Sequence, residues 1–185
     1  MSDLLMESPS RIIEQTKKWI TDVVIGCNFC PFAAKELKKD SIHYEVAANA
    51  TVEQAIDLFV TECRRLDENP DIETILLILP GSFTDFGDYL DLLELAEQVI
   101  KQKKYEGIYQ AASFHPLYCF ADADEDDAAN YTNRSPYPML HLLREESIET
   151  ALENFPDPDS IPERNIHFAR AKGLAWMKLL REKCF

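Results

Sequence analysis

Two side chains stand where they could carry chemistry, a histidine and a cysteine that each precede a proline. His115 follows a run of strand-forming residues and is predicted at the carboxyl end of a strand, where its near-neutral pKa suits a general base. Cys30 would be the N-cap of a helix if Pro31 begins one, a position that favours a thiolate nucleophile. Each residue has a structural alternative: the histidine ring could cap a loop carbonyl, and the cysteine could pack as a small hydrophobe. His115 and Cys30 are therefore the candidate catalytic residues.

A candidate anion-binding segment follows at Asn133, Arg134 and Ser135. The guanidinium group of Arg134 is a planar fork of donors, and the serine hydroxyl with the first amides of a helix would add more. In a chain this acidic, Arg134 could equally be a countercharge to the preceding loop. The acids available for that pairing are Asp122, Asp126 and Asp127. The sequence thus predicts an anchor for a small polar or anionic ligand, with a structural ion pair as the alternative.

Three cysteines and the same histidine allow a second kind of site. Cys27 and Cys30 form a CxxC pair, while His115 and Cys119 form an HxxxC pair. Together they would provide the three thiolates and one imidazole of a tetrahedral zinc centre. A thioredoxin-type redox site is not favoured, because that motif follows a strand and this one follows a predicted helix. Zinc is therefore an alternative cofactor, and no other cofactor is predicted.

Hydrophobic periodicity indicates the elements that must position these side chains. Strands are predicted over residues 42–47, 74–79 and 107–114, and amphipathic helices lie between them. The middle strand is apolar throughout, so it should be central and covered on both faces. Strand and helix alternate with short links, which implies right-handed crossovers. We therefore predict a single α/β domain with helices packed on a mainly parallel sheet of three to five strands.

The last part of the chain is predicted to be mostly helical. Residues 117–120 could add a strand after the break at Pro116. A helix is predicted to begin at Ser135-Pro136, because Met139 and Leu142 keep helical spacing behind it. A final helix is predicted over residues 166–181.

A ligand site is expected at one edge of this sheet, because ligands of open parallel sheets bind beyond the carboxyl ends of the strands. The hydroxyl-bearing residues predicted there are Ser82, Thr84 and Ser113. The long loop after His115 could fold back over the same edge. The expected result is a concave pocket with Arg134 as its main positive charge. Its predicted lining is Phe83, Phe114 and Tyr137.

Composition limits the classes of partner. A formal net charge of −14 argues against nucleic acid, which requires clustered lysine and arginine. The longest aliphatic run is far shorter than a membrane span, so no membrane association is predicted. An odd count of five cysteines suits reduced thiols in the cytoplasm better than a disulfide framework. The sequence makes no prediction of oligomeric state.

Three segments together resemble a known protein family. They are Cys-Pro-Phe-Ala from residue 30, Ala-Ser-Phe-His-Pro from residue 112, and the stretch NYTNRSPYPMLHLLRE over residues 130–145. On these segments the chain resembles the bacterial family known as domain of unknown function 1415. The resemblance implies a single-domain cytosolic bacterial protein and carries no activity. The family's first motif has a cysteine that matches Cys30, but not necessarily one that matches Cys27.

Two classes of function follow. The favoured one is an enzyme that acts on a small polar or anionic metabolite at the carboxyl-terminal edge of the sheet. The other is a non-catalytic protein, either stabilised by zinc or built as a ligand-binding module.

Overall fold

The computed structural model of the protein describes residues 7–185, and its centre is a four-stranded sheet. The strands are β1 (Ile42–Val46), β2 (Thr74–Ile78), β3 (Tyr109–Phe114) and β4 (Met139–Arg144). The α-helices are α1 (Pro9–Trp19), α2 (Ala33–Lys39), α3 (Val52–Glu68), α4 (Phe86–Gln102), α5 (Glu145–Glu153), α6 (Ile161–Lys172) and α7 (Leu174–Glu182). A π-helical turn (Ile20–Ile25) continues α1, and two short 3-10 helices lie at Ala128–Thr132 and Pro158–Ser160.

The helices that flank the sheet begin at side-chain caps. The hydroxyl of Ser8 accepts from the amide of Arg11 at the start of α1, and proline occupies the next position. Thr51 and Gln54 form a reciprocal capping box at the start of α3. The carboxylate of Asp85 accepts two amides of the first turn of α4. Each cap satisfies amides that have no partner inside the helix, and this sets where each helix starts.

The sheet order is β1-β2-β4-β3, with β1 and β2 parallel and β4 antiparallel to both of its neighbours. An α/β fold is confirmed, as is the interior position of β2, whose five residues are all buried. The prediction of a mainly parallel sheet is wrong, because one of the three pairings is parallel. The predicted helix after Ser135 is instead strand β4, inserted between β2 and β3. An interior strand is apolar on both faces, so its composition resembles that of a buried helix.

Two cores cover the two faces of the sheet. The core on one face contains residues of α1, the π-helical turn and the last two helices, among them Trp19, Val23 and Met177. The core on the other face contains residues of α3 and α4, among them Phe59 and Tyr89. Side chains alternate along a strand, so neighbouring residues of β2 and β4 enter opposite cores.

The carboxyl-terminal segment also departs from the prediction. The single helix predicted over residues 166–181 is two helices, separated by Gly173 with φ 84° and ψ 155°. Residues with a Cβ avoid this backbone conformation, so the glycine breaks the helix although apolar spacing continues through it. Residues 117–120 leave a turn at Leu117 and continue as irregular loop rather than as a strand. No helix within residues 7–185 is long and apolar enough to cross a membrane.

Candidate functional site

His115 lies at the end of β3 and is fully buried. Its Nδ1 accepts a hydrogen bond from the amide of Leu117 at 3.0 Å, so Nε2 carries the proton and donates to the carbonyl of Phe83 at 2.8 Å. The rings of Tyr89 and Phe86 pack beside it, with centroids 4.8 and 5.2 Å away. Burial lowers the pKa of His115. The ring is therefore neutral at pH 7, with both nitrogens bonded to the main chain, as in the structural alternative raised for it.

Asn130 fixes the long loop that follows His115. This side chain is fully buried in the 3-10 helix Ala128–Thr132. Its Oδ1 accepts from the amide of Phe120 at 3.1 Å, and its Nδ2 donates to the carbonyl of Asp124 at 2.9 Å. Sequence reasoning passed over Asn130. The sequence feature that could have indicated it is an asparagine side chain next to Tyr131, in a segment whose other residues are suited to burial.

Asn133 and Ser135 act in the same way on either side of Arg134. The Nδ2 of Asn133 lies 3.4 Å from the carbonyl oxygen of Ser113, and the buried hydroxyl of Ser135 donates to the carbonyl of Tyr137. The main chain of Asn133 also accepts the amide of His115. These two predicted ligand-binding residues, with Ser113, hold the crossing between β3 and β4 together.

Arg134 is half-buried and bonded to carbonyls rather than to acids. Its Nε donates to the carbonyl of Tyr118 at 2.9 Å, and its Nη2 donates to that of Glu125 at 2.8 Å. Its guanidinium carbon lies 4.9 Å from the centre of the Tyr131 ring. The predicted partner Asp127 is paired with Arg170 at 2.7 Å instead. Within the described chain, no carboxylate lies within 4.0 Å of Arg134.

A second arginine, which the sequence did not single out, joins Arg134 at this ring. The guanidinium carbon of Arg181 on α7 lies 5.8 Å from the centre of the Tyr131 ring, and its Nη1 donates to the carbonyl of Pro116 at 2.8 Å. Its Nε is buried and has no hydrogen-bond partner in residues 7–185. Burial lowers the pKa of Arg181, and the like charge of Arg134 acts in the same direction.

Arg144, by comparison, is an arginine whose three side-chain nitrogens all make hydrogen bonds. It donates to the carbonyls of Leu66, Asn69 and Ile72, and its Nη1 lies 3.5 Å from the Tyr109 hydroxyl. All of its nitrogens are engaged at the end of α3. Arg134 and Arg181 make fewer bonds, which leaves donors for a ligand.

The predicted pocket at the sheet edge is not formed as expected. Phe83 packs against the core under α3 and α4, whereas Phe114 and Tyr137 pack against the core on the opposite face. Thr84 is exposed, and Ser82 is buried with no partner for its hydroxyl among residues 7–185. Phe83 has φ 50°, a strained left-handed conformation for a bulky residue. The edge therefore holds strain and an unbonded hydroxyl, and its aromatic residues are divided between the two cores.

The cysteines are not brought to His115. Helix α2 begins at Ala33 after Phe32, so Cys30 is not its N-cap and lacks the activation that this position would provide. Cys27 is buried in the core, where burial raises its thiol pKa. Cys119 lies 3.7 Å from the Nδ2 of Asn130. In the described part of the chain, no three of the proposed zinc ligands Cys27, Cys30, His115 and Cys119 have their ligand atoms within 4.8 Å of one another.

The comparisons with known proteins agree with the sequence motifs. A family model described as "Protein of unknown function (DUF1415)" matches residues 11–178. The search of curated proteins and the search of solved structures each give no match. The matched range includes the loop held by His115 and Asn130, as well as Arg134. The chain belongs to the DUF1415 family of proteins of unknown function.

Proposed function

We propose that this protein binds a small anionic molecule through Arg134 and Arg181. One observation carries the proposal: two guanidinium groups flank the Tyr131 ring, and no carboxylate of the described residues lies within 4.0 Å of either. In a protein with 33 acids and 19 basic residues, two neighbouring arginines without an acidic partner are unexpected. An anionic ligand would supply the missing countercharge.

The geometry leaves enough donors for such a ligand. A guanidinium group carries five N–H donors. Two of those of Arg134 and one of Arg181 are bonded to main-chain carbonyls of the described loop. These bonds fix the two groups in place, so little side-chain freedom remains to be lost on binding. A guanidinium group held in one orientation can bond two oxygens of a carboxylate or a phosphate at once, so the expected ligands are small carboxylates and phosphates.

Electrostatics support binding at this position despite the overall negative charge. Two like charges repel more strongly where water is partly excluded, and Arg181 is half-buried beside the Tyr131 ring. A bound anion would remove that repulsion and pair the buried Nε of Arg181. Salt screens the attraction between an anion and the two guanidinium groups, so binding should weaken with added salt, although the same screening relieves the long-range repulsion from the acidic surface.

The proposal is for binding rather than catalysis, and so it follows the second class of function. Both nitrogens of His115 are bonded to the main chain, and Cys30 is not the N-cap of α2. We also propose a cytoplasmic setting, supported by five cysteines that all remain free thiols.

Calorimetric titration of the full chain with inorganic phosphate and with succinate, at low ionic strength, tests the proposal. We expect R134Q and R181Q each to weaken binding about tenfold or more, the value of one charge-assisted hydrogen bond. R170Q is the matched control. It breaks the ion pair with Asp127 on the same loop but lies outside the proposed site, so its affinity should stay within about twofold of wild type.

Both arginines also hold the loop, so circular dichroism should accompany each titration. R181K keeps the positive charge but loses the paired N–H donors of the guanidinium group, so it should bind the anion more weakly but still measurably. Failure of both probes to bind the wild-type protein at low salt would overturn the proposal. Equal loss of affinity in R170Q and R181Q would also contradict it, because a loosened loop would then explain the effect.

A further inference from the structure

A cluster of one histidine and two carboxylates lies between β1 and α3, away from the loop described above. His43 and Glu45 are two residues apart on β1, so their side chains share one face of the sheet. Glu62 of α3 meets them there, and its side chain is 1% exposed. In residues 7–185 this is the single group of three or more potential ligands whose atoms all lie within 4.8 Å of one another. We propose that His43, Glu45 and Glu62 bind a divalent transition-metal ion, with Zn²⁺ as the first candidate.

The distances fit a metal better than they fit hydrogen bonds. The Nε2 of His43 lies 3.5 Å from a carboxylate oxygen of Glu62 and 3.6 Å from one of Glu45. Hydrogen bonds between nitrogen and oxygen are shorter, about 2.7–3.2 Å. Tetrahedral zinc forms bonds of about 2.0–2.2 Å to such atoms, which places neighbouring ligand atoms about 3.3–3.6 Å apart. Both measured separations fall at that spacing.

The state of the imidazole is a second and independent observation. The Nε2 atom of His43 is buried and has no hydrogen-bond partner in the described chain. Buried polar atoms are nearly always bonded, and an exception needs an explanation. An imidazole nitrogen that faces two carboxylates without bonding to either is the arrangement expected around an ion.

Arg65 provides the outer support that carboxylate ligands of metals usually have. Its Nε and Nη2 lie 2.8 and 3.2 Å from the two carboxylate oxygens of Glu62. Each carboxylate oxygen can accept in two directions, so Glu62 can hold Arg65 and still face an ion. Two carboxylates and one guanidinium group leave a net negative charge, which favours a divalent cation.

The ligand set indicates the kind of ion. The imidazole nitrogen is a borderline donor and the carboxylate oxygens are hard donors, and zinc accepts both kinds. Three protein ligands leave a fourth position for water or a substrate.

The test is a titration of the reduced, chelator-treated full chain with Zn²⁺, followed by calorimetry and by thermal melting. We expect one ion per chain and a higher melting temperature, because the ion binds only the folded site. H43Q and E45Q should each weaken the affinity more than about 100-fold, at or beyond the effect of losing an outer-shell partner. H167Q is the matched control, since His167 is exposed on α6, and it should bind as wild type does.

Co²⁺ then distinguishes this site from the five cysteines. Ligands from His43, Glu45 and Glu62 give weak visible bands, whereas thiolates add intense charge-transfer absorption in the near ultraviolet. Glu45 is partly exposed, so E45Q should fold even where a change at Glu62 would not. Three results would overturn the proposal: no stoichiometric Zn²⁺, affinity unchanged in both H43Q and E45Q, or a thiolate spectrum. The last two would mean that any bound ion sits elsewhere, and the first that His43 lies between the two acids without an ion.

Discussion

The Nε2 of His115 lies 2.8 Å from the carbonyl oxygen of Phe83, and this bond ties the end of β3 to the turn that follows β2. Phe83 has φ 50°, a conformation that bulky residues adopt only when their surroundings enforce it. The buried imidazole is part of those surroundings. Its Nδ1 accepts a hydrogen bond from the amide of Leu117, so the His115 side chain holds both the turn at Phe83 and the first residues of the long loop.

We predict that H115L destabilises the protein by about 2–5 kcal/mol. Leucine fills similar space, but it leaves the carbonyl of Phe83 and the amide of Leu117 without their partners. An unpaired buried group costs about 1–3 kcal/mol, and the partial exposure of these two groups keeps the cost of each below the upper end of that range. Urea unfolding followed by circular dichroism measures the change. H167L, at an exposed histidine, should stay within about 0.5 kcal/mol of wild type. If H115L were as stable as wild type, His115 would not be holding the loop and would again be a candidate acid or base.

The fold was predictable where a run of residues fits one kind of element. Residues 74–79 are aliphatic and too few for a core helix, so a central strand was the natural prediction, and β2 is that strand. Residues 139–144 fit two kinds of element. Met139 enters one core while Leu140 and Leu142 enter the other, so β4 is apolar on both faces and also satisfies helical spacing. No local pattern indicates that this segment inserts between β2 and β3. Without that antiparallel strand, the remaining strands and helices predicted a mainly parallel sheet.

The candidate site was predictable in its location more than in its chemistry. The polar motif around Arg134 does mark a loop held by many side-chain hydrogen bonds. Its bonds go mostly to main-chain carbonyls, however, and a sequence does not show which carbonyls come near. Arg181 lies far along the chain on an ordinary amphipathic helix. Its position beside Tyr131 depends on the break at Gly173, so no spacing rule could have paired it with Arg134.

A second prediction concerns stability in acid. His141 lies on β4, where its Nε2 is 2.7 Å from the hydroxyl oxygen of Thr74, and that hydroxyl donates to the carbonyl of Leu142. Burial lowers the pKa of His141 to about 4, against an ordinary value of 6.5. As the pH falls, His141 therefore takes up a proton near pH 6.5 in the unfolded chain but only near pH 4 in the folded chain. Stability should fall with pH across that window, by about 3 kcal/mol from this residue at pH 4.

Urea unfolding at a series of pH values between 7 and 4 measures this loss. H141F should flatten the pH profile, since phenylalanine cannot take up a proton and the Thr74 hydroxyl keeps its bond to Leu142. His115, whose pKa is also lowered by burial, contributes to the slope in the same direction and remains in the variant. The exposed control H167Q should keep the wild-type profile. A profile in H141F as steep as that of wild type would contradict the assignment of the slope to His141.

The last prediction concerns Gly173, which separates α6 from α7. Its φ of 84° and ψ of 155° belong almost entirely to glycine, so G173A should cost about 1–3 kcal/mol of stability. No heavy atom lies within 4 Å of the added Cβ, so the cost is one of backbone conformation rather than of crowding. Gly107 is the matched control, because it too has positive φ and open space around its Cβ. G107A should destabilise by about 1–2 kcal/mol and leave α7 in place.

The two variants should differ in a second measurement. Alanine favours a continuous helix through position 173, which would turn α7 and move Arg181 away from Pro116 and Tyr131. Calorimetry with inorganic phosphate should therefore show weaker binding in G173A and unchanged binding in G107A, with both proteins compared well below their melting temperatures. If G173A keeps wild-type stability, the break between α6 and α7 does not require glycine. If it is destabilised but binds phosphate as wild type does, then the alanine accepts the strain and α7 keeps Arg181 beside Tyr131.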